Sequence, residues 1–175
     1  RIFRELQSME KQMTGYPTLF FGSHDMPRLM DRLAGGDPGR AKALAALLLT
    51  AKGVTFIYYG EETGMQNIVA NTMDEIVDIQ GKTHYQLAIS AGKSPEEALA
   101  EGNRHNRDKS RSPMQWDGSA NAGFTTGKPW IKIHDNYKKV NLEQSLAFTG
   151  SITNTYKALI ALRNREKSLQ VGSYK

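Results

Sequence analysis

Tyr16-Pro17-Thr18-Leu19-Phe20-Phe21-Gly22 is a short apolar run rich in aromatic residues, and it leads directly into the polar triplet Ser23-His24-Asp25. A continuous apolar run of this length, bounded by Pro and Gly, reads as a buried strand. The pattern returns at Val54-Thr55-Phe56-Ile57-Tyr58-Tyr59, which ends at Gly60-Glu61-Glu62. Between the two runs, Asp37-Pro38 offers a helix N-cap and a first-turn proline. The Ala- and Leu-rich stretch from Gly39 to Lys52 then reads as a helix apolar on most faces. Upstream, Ile2, Phe3, Leu6, Met9 and Met13 recur at helical spacing within residues 1–13. The first sixty residues therefore read helix–strand–helix–strand. Short, wholly apolar strands with polar residues past their C-terminal ends are expected of parallel strands in an α/β fold. In a closed β/α barrel that rim carries the active site.

Working outward, the character changes between Gly64 and about Gly127, where the chain is polar and shows no clear strand. Residues 72–91 are predicted helical. Ser94-Pro95-Glu96-Glu97 combines a Ser cap, a first-turn Pro and a Glu three residues after the cap, and predicts a helix to about Arg107. Residues 110–130 read as an ordered loop, because Trp116, Phe124 and Trp130 need packing partners. Ser151 is placed to cap a last helix with Ile152, Tyr156, Leu159, Ile160 and Leu162 on its apolar side. No internal repeat or low-complexity segment interrupts this order.

Composition narrows the class. The chain has 175 residues, enough for one domain or a piece of a larger one. Its 39% hydrophobic and 23% charged residues fit a globular protein with a core, and no run of about 18 apolar residues suggests a membrane span. The opening Arg1-Ile2-Phe3-Arg4-Glu5-Leu6 carries no initiator Met and no apolar signal region, and reads as a helix entered part-way. A fragment of a longer chain is therefore expected. Cysteine is absent, so disulfides and thiolate metal sites are excluded, which fits a cytoplasmic setting without requiring it. Part of the +5 net charge is local, in Arg104, Arg107, Lys109 and Arg111. Such a stretch can attract anions or nucleic acid. No nucleic-acid motif accompanies it, and a solvated basic face is the plainer reading.

The strongest chemical signal is Gly22-Ser23-His24-Asp25-Met26-Pro27-Arg28. A histidine and a carboxylate directly after a buried strand suit a ligand. Equally, Asp25 suits the N-cap of a short helix over Met26–Leu33. Spacing alone leaves both readings open.

The stretch resembles the fourth conserved segment of the α-amylase family of glycoside hydrolases, where an Asn-His-Asp triplet ends the seventh barrel strand. His24-Asp25-Met26-Pro27-Arg28 is similar to the α-glucosidase branch, which has Pro-Arg one residue after the triplet. Phe56 to Met65 resembles the eighth strand and its exit. Arg107-Asp108-Lys109-Ser110-Arg111-Ser112-Pro113-Met114-Gln115-Trp116-Asp117 resembles the Arg-Thr-Pro-Met-Gln-Trp signature of the same branch, continued by Asn121-Ala122-Gly123-Phe124 and Lys128-Pro129-Trp130. Three motifs in matching order cover nearly the whole chain. The resemblance implies an α/β fold: a partial (β/α)8 TIM barrel, its last two βα units followed by a long helical and loop insertion. Residues 1–175 are then the C-terminal fragment of a catalytic barrel domain.

The resemblance also assigns roles. Glycoside cleavage passes through an oxocarbenium-like transition state, which a fixed carboxylate stabilises. That role falls on Asp25. His24 is expected to hydrogen-bond a hydroxyl of the same sugar, and Arg111 to reach the terminal glucose. Where the family usually has Asn, this chain has Ser23, which still hydrogen-bonds but reaches less far. A retaining enzyme also needs a nucleophile and a general acid about 5 Å apart; the family carries them on the fourth and fifth strands, which would precede Arg1.

Other residues receive plainer expectations. One of Glu61 and Glu62 is expected to hydrogen-bond within the rim and the other to face solvent. Arg28 is expected to pair with a rim carboxylate. Packing is the expected task of Tyr59 and Trp116. His84, His105 and His134 lack metal-ligand spacing and read as surface residues. The expected partner is an α-linked gluco-oligosaccharide, with no cofactor, metal, nucleic acid or membrane, and with self-association through open strand edges. The competing readings are a sucrose isomerase or trehalose synthase-type transglycosylase of the same fold, and a non-catalytic, barrel-derived partner subunit.

Overall fold

The computed structural model describes residues 2–173. Helix α1 spans Ile2–Gln12. Arg1 and the side chains of Ile2 and Phe3, counted above toward its apolar face, lie outside the described residues. The described part of that face is thinly covered: Leu6 is half-buried, while Met9 and Met13 are exposed. An ion pair from Glu10 to Lys52 ties the helix to the rest.

Strand β1 (Thr18–Leu19) pairs in parallel with β2 (Val54–Thr55), Thr18 opposite Val54 and Leu19 opposite Thr55. Flanking bonds from Val54 N to Pro17 O and from Phe56 N to Leu19 O extend the pairing slightly. Both runs were expected to be strands about six residues long; only two residues of each form the ladder. A strand needs neighbours, and among the described residues this sheet has two members, so each has one open edge there. The chain between them holds α2 (Leu29–Arg32) and α3 (Pro38–Thr50). Asp37 caps α3 as expected, accepting from the Gly39 and Arg40 N–H groups at Pro38's end of the helix.

The core sits between α2, α3 and α7 (Ile152–Arg165). Leu29, Met30, Ala34, Ala41, Ala45, Leu49, Ile152 and Tyr156 are buried there, with Phe21, Leu44 and Leu159 packed against them. Ser151 caps α7 through the Asn154 N–H, and the expected apolar stripe buries Ile152 and Tyr156 but leaves Ile160 exposed. The other side of the strands is bare: Phe20, Val54 and Phe56 are exposed.

Downstream, α4 (Ile79–Ser90) packs against α5 (Pro95–His105). The capping box at Ser94 forms in full, with Glu97 returning a bond to the Ser94 N–H. Gly81 permits the close approach: a Cβ there would lie 2.8 Å from the Ile76 side chain and 3.0 Å from Asn106. A short α6 (Leu142–Ala147) packs on α7, and α8 (Ser168–Val171) follows it. The helix predicted over 72–91 is two pieces, a single 3-10 turn at Met73–Glu75 and then α4. No described helix is long and apolar enough to cross a membrane.

Candidate active site

Asp25 lies in the turn that follows β1. The Ser23 hydroxyl accepts the Asp25 N–H at 3.2 Å, and the Met26 N–H bonds to the Ser23 carbonyl. A local side-chain-to-backbone bond of this kind shapes a turn. It shows what the short Ser23 side chain does here. The carboxyl group of Asp25 caps no helix. The residue at the N-cap position of α2 is Arg28, and it makes no side-chain cap bond. Asp25 instead stands half-exposed between two guanidinium groups: Arg111 Nη2 lies 2.9 Å and Arg107 Nη1 3.2 Å from its Oδ1. His24 Nε2 is 3.2 Å from Oδ2, and Arg111 Nε also donates to the His24 carbonyl at 2.8 Å. Asp25 and Arg111, 86 positions apart, thus converge beside His24.

Arg107, read from sequence only as part of a basic stretch, and Asp78, not singled out there, belong to this assembly. Asp78 is buried and accepts from three donor groups of Arg107: Nη2 at 2.7 Å, Nε at 3.1 and 3.2 Å, and the backbone N–H at 3.0 Å. Burial alone would raise the Asp78 pKa. The Arg107 bonds and charge, with a bond from the Gln80 N–H, outweigh burial and bring it down to about 2. Asp108 is also buried and binds the Val77 and Asp78 N–H groups through Oδ2. Two carboxylates therefore clamp the start of α4 against the 107–111 segment, which presents both arginines to Asp25.

Arg28 holds the same segment from below. Its buried guanidinium donates to the Tyr59 carbonyl at 2.9 Å and to the Ser112 carbonyl and hydroxyl at 3.3 and 3.2 Å, and lies 5.0 Å from the Tyr59 ring centroid. The expected rim carboxylate partner is replaced by the Tyr59 and Ser112 carbonyls and the Ser112 hydroxyl, which the β2 exit and the 110–112 segment bring to the guanidinium. Arg28 thereby fastens together the three segments that carry the family resemblance.

The exit of β2 differs from expectation. Glu62 accepts the Gly60 N–H at 2.9 Å. Glu61, rather than facing solvent, is buried, and neither of its carboxyl oxygens has a hydrogen-bond partner among the described residues. Its carboxyl lies against Gly22, where an added Cβ would sit 2.2 Å from Oε1. Burial, helped by the charge of Glu62, pushes its pKa up to about 7, against weaker opposing effects of the Tyr58 backbone, Arg28 and Arg32.

Two cavities flank the arginines. One, of about 430 Å³, is walled by Tyr59, Arg111, Met114, Trp116, Phe124 and Trp130. Its aromatic residues were expected to pack; Tyr59, Trp116, Phe124 and Trp130 are instead exposed. The loop holding them is ordered by other means: Ser112, Pro113, Met114 and Gln115 are buried, and the Trp116 N–H bonds to Ala122 O. The second cavity, about 420 Å³, has Asp25 in its wall. Among the expected surface histidines, His84 and His105 stack with centroids 3.5 Å apart, and His134 Nδ1 accepts the Asn136 N–H. Among the described residues no group of three His, Asp or Glu side chains is arranged to hold a metal ion.

Residues 1–172 match the family described as Alpha amylase, catalytic domain. The chain is 39% identical over 165 residues to an oligo-1,6-glucosidase of Bacillus cereus, covering 92% of this chain and 30% of that protein. Superposed on the trehalose-6-phosphate hydrolase of Bacillus licheniformis it gives a TM-score of 0.88 at 37% identity, covering 99% of this chain and 32% of the other. The trehalulose synthase of Pseudomonas mesoacidophila gives 0.86 at 37% identity, with 99% and 32% covered. The chain thus spans about a third of the length of the proteins it matches.

Proposed function

The chain belongs to the α-amylase catalytic-domain family, and on that premise we propose that it is the C-terminal part of an α-glucosidase-type (β/α)8 barrel that cleaves terminal α-linked glucose by a retaining mechanism. The observation that carries this reading is the seat of Asp25: an exposed carboxylate at a strand exit, fixed by Arg107 and Arg111 and flanked by His24. As a glycosidic bond breaks, positive charge grows on the sugar ring. A carboxylate held in place beforehand stabilises that charge without reorganising. The arginines hold one oxygen of Asp25, leaving the other beside His24 and open to a sugar hydroxyl. Arg111 reaches the terminal glucose from the aromatic side.

In this reading the nucleophile and the general acid come from strands outside this chain. Those strands also cover the bare face of Phe20, Val54 and Phe56 and pair the open edges. Without them the chain self-associates, and a single monomeric species in light scattering would count against it. The decisive test is a chimera: the Bacillus cereus oligo-1,6-glucosidase with this chain in place of the segment it aligns with. It is expected to hydrolyse a chromogenic α-glucoside, and Asp25→Ala is expected to abolish this. An inactive but folded chimera overturns the assignment. Turnover by the 175-residue chain alone, lost in Asp25→Ala, overturns the view that two catalytic groups lie elsewhere.

One observation favours a second reading, a sucrose isomerase-type enzyme: the aromatic cavity beside Arg111 is suited to exclude water and retain a cleaved sugar. Sucrose supplied to the chimera separates the two, since a hydrolase releases glucose and fructose and an isomerase a rearranged disaccharide. The intact Asp25, His24 and Arg111 set speaks against a non-catalytic partner subunit.

A further inference from the structure

Glu61 is a buried acid to which the proposed reaction gives no task. Its carboxyl lies against the buried backbone of Gly22, just ahead of the Asp25 turn, where a Cβ would sit 2.2 Å from Oε1. Neither carboxyl oxygen meets a hydrogen-bond donor among the described residues. The titratable and charged groups around it come from three places. Its own turn supplies Tyr58 and Glu62, α2 and its N-cap supply Arg32 and Arg28, and α7 supplies Tyr156. The Tyr156 hydroxyl is likewise buried without a hydrogen-bond partner among the described residues.

The two cations in this set are already committed to backbone. Arg32 donates to the Phe21 carbonyl, next to Gly22. Arg28 donates to the Tyr59 carbonyl and to the carbonyl and hydroxyl of Ser112, next to Arg111. One arginine therefore holds the segment that carries Asp25, and the other the segment that carries Arg111. We propose that Glu61 is a positioning residue that works uncharged: as a neutral acid it seats the Asp25 turn and leaves both arginines on their carbonyls. Ionised, it draws one of them away and loosens the Asp25–Arg111 pair. The inference rests on the proposed glycosidase reading, since Glu61 acts in that reaction only through Asp25.

The physical reason is the cost of a buried charge. A carboxylate taken out of water either keeps its proton or acquires a cation. Here each cation within reach would have to abandon a carbonyl of the site. Tyr156 offers no counter-charge, because burial, then the charges of Glu61 and Glu62, push its pKa up and keep it a neutral phenol. Burial accordingly raises the Glu61 pKa to about 7. Below that value Glu61 is neutral and the site is seated. As pH rises through it, the proton passes to solvent and the seat is lost.

The oligo-1,6-glucosidase chimera tests this. Its kcat toward a chromogenic α-glucoside is expected to fall between pH 6 and pH 8 with KM steady. Glu61→Gln has the shape of the neutral acid and cannot ionise. It is expected to retain about threefold more of its pH 6 kcat at pH 8 than the parent does. Glu61→Asp, still an acid, is expected to fall as the parent falls. A merely structural carboxyl would alter stability in both variants without moving the profile. Superimposable profiles of parent and Glu61→Gln overturn the proposal. Hydrogen exchange read by mass spectrometry supplies a second measurement, which needs neither a variant nor turnover. In the parent chimera the peptide covering residues 19–28, corrected for the intrinsic effect of pH, is expected to exchange faster at pH 8 than at pH 6. Equal corrected rates overturn the proposal. An inactive chimera that shows this step fails the glycosidase reading alone and leaves the seating by Glu61 standing.

Discussion

The two strand exits look alike in sequence and behave oppositely in the fold. Each apolar run ends in a glycine and then in acidic groups, Gly22-Ser23-His24-Asp25 and Gly60-Glu61-Glu62. At the first exit the carboxylate is exposed and heavily engaged, with two arginines and a histidine within 3.2 Å. At the second, Glu61 is buried and has no hydrogen-bond partner among the described residues. Partner placement decides the difference. Arg107 and Arg111 arrive at Asp25 on a segment clamped by Asp78, Asp108 and Arg28, whereas the Arg28 guanidinium donates to the Tyr59 and Ser112 carbonyls and the Ser112 hydroxyl rather than to Glu61. A carboxylate served by fixed cations suits chemistry. One without them is a strained buried group whose partners are supplied by something else or not at all.

The largest expected effect breaks the comparison at its functional end. Asp25→Ala in the chimera should lower kcat about a thousandfold, on the order of 4 kcal/mol of transition-state stabilisation. Glu61→Gln should change kcat little. Matching losses from both substitutions would erase the distinction between the exits.

Next in size is the clamp. Asp78→Ala removes the buried partner of Arg107, leaving it only the exposed Asp25, and should destabilise the fold by about 3 kcal/mol in urea unfolding. Its pH signature has a definite sign. The folded pKa of Asp78 is depressed from 3.8 to about 2, so its contribution is fully present above the unfolded value and is lost as pH falls toward 2 and below. That contribution is about 2 kcal/mol, and acid titration of the variant should lack it.

How much of this was legible depends on the range of the interaction. The sequence named Asp25 and Arg111 through the order of their motifs, and the structure puts them in contact; the caps at Asp37, Ser94 and Ser151 were legible because a cap is settled within three residues. The ladder length was not legible, since it depends on which neighbours a strand finds, and among the described residues β1 and β2 find only each other. Arg28, Arg107 and Asp78 were missed or misassigned because their partners lie 29 to 84 residues away. A conspicuous arginine such as Arg28 signals a buried cation but not whether carboxylate or carbonyl will answer it. The aromatic loop misled for a related reason: Trp116 and Trp130 demand a neighbour, and a cavity wall meets that demand without burial.

Glu61 offers a smaller and opposite effect. Its folded pKa is raised from 4.5 to about 7, so stability is highest below the unfolded value and declines as pH rises toward 7. Ionising it in place costs about 3 kcal/mol by pH 8. Glu61→Gln removes that cost but leaves a buried amide unpaired, at about 1 kcal/mol. The net expectation is a gain of about 2 kcal/mol at pH 8 that turns into a loss of about 1 kcal/mol near pH 4. A loss at pH 8 would mean that Glu61 is held by a partner, and the contrast between the exits would fail.

The smallest effect tests how the first exit keeps its shape. The Ser23 hydroxyl accepts one backbone N–H at 3.2 Å in an exposed turn, so Ser23→Ala should cost about 0.5–1 kcal/mol. Ser23→Asn should restore it, because an Asn carbonyl can accept the same N–H in an Asx turn. The chimera carrying Ser23→Asn should then match the parent in kcat. A turn that merely tolerates any small residue would show no difference among Ser, Ala and Asn. A turn that aims Asp25 at the sugar would show Ala alone with reduced kcat and unchanged thermal stability, which would move Ser23 from the fold into the reaction.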